Sequence, residues 1–170
     1  MMDSTSTHSA SLLEKTYNLI AEFDQRKKER DVTCAPLGVQ AYQLAKQSGD
    51  KSCMAKAVTT LTHFYTDITS EFDKAIDYLK EAIEIFDDKA DAEAKAEFFR
   101  RLGLNYDYLG DLIQSKQAYD DSVRLLENRS DLSETAFLTL ARSLFNESII
   151  YGDLGLETLK KEYLHRAFGY

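Results

Sequence analysis

A small residue, a large one four positions on and a small one three further on recur along the chain. The copies are Gly38, Tyr42, Ala45; Ala75, Leu79, Ala82; and Ser115, Tyr119, Ser122. Steps of four and three place each trio on one face of a helix. The copies begin 37 and 40 residues apart, room for two helices and their turns in each period. A two-helix hairpin cannot bury its apolar face alone, so stacked neighbours must build the core.

Start and stop signals divide the chain into eight predicted helices. The first begins at Ser11, with Leu12, Leu13, Thr16, Tyr17, Ile20 and Phe23 at three-four spacing, and ends near Arg30. Pro36 suits the first turn of the second and Gly49 stops it. Asp50 caps the third, which fades at Thr69-Ser70, and the fourth runs through "EFDKAIDYLKEAIEIFDD". Gly110 ends the fifth and Asp111 caps the sixth. Asp131 or Ser133 caps the seventh, with Glu134 placed for a capping box from Asp131. "GDLG" precedes the eighth, "LETLKKEYLHRAF". No stretch alternates β-branched residues, so no strand is expected.

The 170 residues include one proline and seven glycines, as helices prefer. No apolar run reaches the roughly 18 residues of a membrane span, and "MMDSTSTHSAS" lacks the basic start and apolar centre of a secretory leader. Residues 1–10 read as a disordered tail. Cys34 and Cys53 have no CxxC spacing, so a reduced, cytoplasmic setting is expected. The net charge of −8 gathers between Leu61 and Glu97, where eleven acidic and four basic side chains give −7. Such a segment repels phosphate backbones, so nucleic acid is not the expected partner.

Catalytic constellations are missing from the sequence. His8, His63 and His165 belong to no HExxH or Cys/His cluster, and there is no GxGxxG after a strand and no GxxxxGK[ST]. "DDKADAEAKAE" has acidic spacing loosely like a calcium loop but lacks the turn glycine. The reading is a non-enzyme with no cofactor and no metal. Tyr17, Phe23, Phe72, Phe86, Phe99, Tyr106 and Tyr119 fall on apolar stripes and are assigned to the core. Tyr78, Tyr108 and Phe145 fall off them, as binding anchors do.

"FRRLGLNYDYLGD…SKQAYDDS" resembles the tetratricopeptide repeat: Phe99, Leu102-Gly103, Tyr106, Gly110, Ser115, Tyr119 and Ser122 stand at its signature spacing. Val58, Leu61-Thr62 and Tyr65 before Ala75, Leu79 and Ala82 resemble it in the preceding repeat. The first repeat keeps only its second helix. The last keeps Tyr151, Gly155, Leu164 and Ala167, with Lys160 at a small-residue position; the family's final proline is absent throughout. The resemblance implies an all-α fold, a right-handed superhelix of about four hairpins over residues 11–170, with repeats near 11–49, 50–89, 90–128 and 131–168. Gly103 would sit where the two helices of a hairpin cross closely, and Gly110 would take the left-handed conformation that ends a helix.

By the same resemblance, the first helix of each hairpin lines a groove that binds a peptide or partner protein. Its register assigns Lys56, Thr59 and His63 to that groove, then Arg100, Leu104, Asp107 and Tyr108, then Arg142, Phe145, Asn146 and Ile149. Some members of the family clamp a C-terminal carboxylate with a Lys/Asn/Arg set. Here only Asn146, Arg100 and Arg142 are available, so that function is not carried over. Two other readings stand beside the interaction module. Similar arrays precede output domains in bacterial signalling proteins, which suggests a sensory or regulatory module. A homodimer through the C-terminal helix would cover Leu164, Phe168 and Tyr170, which otherwise face water.

Overall fold

The computed structural model describes residues 4–169, with side chains from Ala10 onward. It is all-helical, with eight α-helices and no strand among the described residues. No helix is long and apolar enough to cross a membrane. The chain divides into two compact units, one up to Tyr78 and one from Leu79.

In the first unit, α1 (Ser4–Lys28) begins seven residues before the predicted Ser11 start. It ends on Arg30 at φ +58°, with Arg30 N–H donating to the Lys27 carbonyl and Asp31 N–H to the Arg26 carbonyl. A short 3₁₀ turn (Val32–Cys34) leads into α2 (Ala35–Ser48), which has Pro36 in its first turn. Gly49 closes α2 at φ +70°. α3 (Lys51–His63) is capped by Asp50, whose carboxylate accepts from Cys53 N–H at 2.6 Å. The chain then widens into a π turn (Phe64–Ile68), inside the span predicted for the third helix, and it is this widening that the helical spacing does not reveal. α4 (Phe72–Ile85) starts in this unit.

α1 packs on α2, α2 on α3 and α1 on α3. Ile20, Phe23, Tyr42, Leu61 and Phe64 are fully buried here, each worth about 1.5–3 kcal/mol of apolar transfer. Gly38 makes room for them: a Cβ there would stand 2.6 Å from the Phe23 ring. Tyr78 is not the exposed anchor expected of it, since it stacks on Tyr65 and meets Tyr42 edge-on. Tyr17, expected in the core, is 38% exposed.

The second unit holds the end of α4 with α5 (Ala92–Tyr108), α6 (Leu112–Leu126), α7 (Glu134–Asp153) and α8 (Glu157–Phe168). α5 packs on α6, α6 on α7, α7 on α8, and α5 also on α7. One cluster contains Ala96, Val123, Leu126, Leu140, Leu144 and Ala167. Gly110 at φ +77° ends α5, with its N–H bonded to the Asp107 carbonyl and Asp111 N–H to that of Tyr106. The neighbour that requires a glycine at 103 is a ring rather than a backbone: a Cβ there would stand 2.8 Å from Tyr119. At the other end of the unit, the Lys160 stem lies against Gly152, so a long side chain fits where the repeat pattern has a small one.

The N-terminus of α7 decides between the two expected caps and removes the expected capping box. Ser133, not Asp131, is its cap, accepting from Ala136 N–H at 3.1 Å. Glu134 is therefore the first helical residue and makes no box. Instead Glu93 of α5 takes both the Ser133 N–H and its hydroxyl, at 3.0 and 2.7 Å.

Candidate functional site

The predicted groove residues fall in both units. In the first, α3 carries Lys56, Thr59 and His63 one turn apart. Lys56 is exposed and its ammonium lies 5.6 Å from the centre of the Tyr17 ring, close enough for a cation–π contact. His63 Nε2 stands 2.9 Å from the Asp67 carboxylate one turn on. Thr59 is half-buried, and its carbonyl accepts the Thr62 hydroxyl.

In the second unit, Arg100 is not presented to a groove. It is 8% exposed, and its Nε and Nη2 both donate to the Glu97 carboxylate at 2.7 Å. Arg101 Nε lies 2.7 Å from the same carboxylate, and Thr139 of α7 donates to it at 3.1 Å. Burial pushes the Glu97 carboxyl up, but the hydrogen bond and charge of Arg100, with the charge of Arg101, outweigh it and hold the group below its ordinary range. Glu97 is thus a hub tying α5 to α7. Its spacing of three and four from the two arginines is the signal that the sequence offers for it.

Leu104 and Asp107 are half-buried on α5, and Tyr108 is 55% exposed at its end. Burial, then the nearby Asp153 carboxylate, pushes Asp107 upward. On α7, Asn146 is half-buried with its side chain toward the Tyr119 hydroxyl. Arg142 and Phe145 are exposed, as are Leu138 and Ile149. Phe168 of α8 is 78% exposed and meets Phe145 edge-on at 6.4 Å. Beside it, Leu164, His165, Phe168 and Gly169 line an open, mostly apolar depression of about 380 Å³. Tyr170, the last residue of the expected apolar edge, and residues 1–3 of the expected tail lie outside the described residues.

A second polar group went unread in the sequence. Glu147 is 1% exposed although it is a carboxylic acid, and its Oε1 has no hydrogen-bond partner among the described residues. Around it stand Lys116 and Asp120 of α6, paired at 2.6 Å, and Arg166 of α8, paired with Glu127. Burial first and Asp120 second push the Glu147 carboxyl up to about 9, so it is neutral at pH 7. Tyr163, against Tyr151 at 4.9 Å, is pushed up to about 12 by burial and by its bond to Tyr151. The clue is periodicity: Glu147 follows Leu140 and Leu144 and precedes Tyr151 on one buried stripe.

Cys34 and Cys53 are buried free thiols, both raised chiefly by burial, which keeps them unreactive. No group of three or more His, Cys, Asp or Glu among the described residues is placed to hold a metal ion. In the second unit α7 and α8 offer exposed aromatic and apolar side chains around Arg142, with α7 tied to α5 through Glu97. No family model matches the chain, and no curated protein matches it.

Proposed function

We propose that the chain is a non-catalytic protein-interaction module of tetratricopeptide type, which takes a peptide or partner helix on the faces of its first-of-pair helices. The right-handed superhelix belongs to the same proposal. Three lines support it. The signature spacing recurs with a period near 40. Within each unit consecutive helices pack together, α1 on α2 and α2 on α3, then α5 on α6, α6 on α7 and α7 on α8, and first helix touches first helix, α1 on α3 and α5 on α7. The third line carries the reading: Leu138, Phe145 and Ile149 of α7 are each more than two-fifths exposed along one helical stripe. Exposed apolar side chains gathered on one helix face, here to either side of Arg142, are what an interaction site presents.

Selection from a displayed library of random peptides tests it. Wild type should enrich a common motif, and the Phe145→Ala variant with unchanged helical circular dichroism should lose it. No enrichment by the wild type, or equal enrichment by both, contradicts the reading.

A further inference from the structure

The exposed stripe of α7 carries an ordered set of charges. Steps of four, four, three, four and four connect Glu134, Leu138, Arg142, Phe145, Ile149 and Asp153, and each is exposed. These steps keep all six on one side of the helix. The seam therefore reads acid, apolar, base, apolar, apolar, acid, with Phe168 widening the apolar part through its contact with Phe145.

Of the eight arginines, Arg26, Arg100, Arg101, Arg124, Arg129 and Arg166 form ion pairs; among the described residues Arg30, in the turn that ends α1, forms none, and neither does Arg142. In a chain of net charge −8, carboxylates are plentiful, and this arginine stands among apolar groups without one. Resting on the interaction-module reading, we propose that the α7 seam docks one helix of a partner protein with the opposite charge order. That helix bears a carboxylate at the centre of its docking face, apolar residues one turn to either side, and basic residues at the ends.

The same geometry disfavours a second copy of this chain on the seam. Its midpoint falls between Ser143 and Leu144, so an antiparallel copy sets Glu134 of each opposite Asp153 of the other. At about 1.5 Å per residue the two Arg142 side chains then sit within about 5 Å of each other along the axis. A parallel copy aligns like with like at every position. At full overlap both orientations oppose equal charges, which is a penalty rather than a bond, and only a register slipped by eight or eleven residues, which gives up part of the seam, sets Arg142 opposite an acid.

Two synthetic helical peptides of equal length, helicity and apolar face test the proposal. One carries Lys, Glu and Lys at the seam-facing charged positions, the other Glu, Lys and Glu. Fluorescence anisotropy at low salt should show the Lys-Glu-Lys peptide binding at least tenfold tighter, with the ratio shrinking in high salt. The Glu134→Lys/Arg142→Glu/Asp153→Lys variant should reverse the preference. Equal affinities, the opposite preference, or no binding of either peptide overturns the charge-order proposal. The library selection separates this failure from that of the broader reading: peptides lost with Phe145→Ala but indifferent to Arg142→Glu would leave the module standing without its charge code.

Discussion

In the unit up to Tyr78 the buried polar side chains are Thr16, Thr60, Thr62 and Thr66; the unit from Leu79 buries Arg100, Asn105, Ser122, Ser143 and Glu147 among others. Thr16 and Thr62 return their hydroxyls to carbonyls of their own helix, so they say nothing about which helix lies beside them. Ser122 reaches the Ala96 carbonyl and the Ser143 hydroxyl, both at 2.9 Å, and Glu97 reaches Thr139, joining α5, α6 and α7. The shapes of Phe23, Tyr42 and Phe64 fill the core of the first unit. Directional bonds between helices add to apolar packing in the second. Such bonds fix register at a cost in desolvation, and they make the second unit the one that responds to charge.

Breaking the Glu97 hub should have the largest effect. Glu97→Ala leaves Arg100 buried without its carboxylate and should cost about 3–5 kcal/mol in urea denaturation. No single polar substitution in the first unit should approach it.

Glu147 sharpens the contrast through pH. The unfolded chain ionises this group near 4.5 and the native one at about 9, so the native state holds the extra proton between those values. Stability contributed at this site therefore falls as pH rises through that window, by about 3 kcal/mol at pH 7 relative to acid. Urea melts of wild type and Glu147→Gln across pH 5–9 should show the decline in the first and a flatter profile in the second. An equal decline in both would remove Glu147 as its source.

Glycine substitutions probe what the two units share. Gly38→Ala and Gly103→Ala should each cost about 1–3 kcal/mol, because the new methyl meets the Phe23 or the Tyr119 ring. Gly110→Ala meets nothing within 4 Å, and its cost, about 1 kcal/mol, comes from φ +77° alone. Thermal melts that ranked Gly110 above Gly103 would reverse the assignment. The smallest effect belongs to Arg142→Glu, which touches no ion pair and should leave stability within about 0.5 kcal/mol while changing binding.

Much of the helical frame was legible because helix ends follow local rules. Asp50 and Asp111 cap, and Gly49 and Gly110 stop, with no help from distant residues. What was not legible depends on partners far along the chain. Glu93 bonds Ser133 from 40 residues away, which displaces the capping box that local spacing suggests. Arg100 and Arg142 look alike in sequence, yet one is buried against Glu97 and the other is exposed. The π turn after His63 leaves no trace in the apolar period.

Amide chemical-shift mapping by NMR during titration with the Lys-Glu-Lys helical peptide tests the central claim most directly. Perturbations should concentrate along α7 from Leu138 to Ile149 and at Phe168, saturating together with one affinity. Shifts centred elsewhere, or none at saturating peptide, would contradict the assignment of α7 as the docking face.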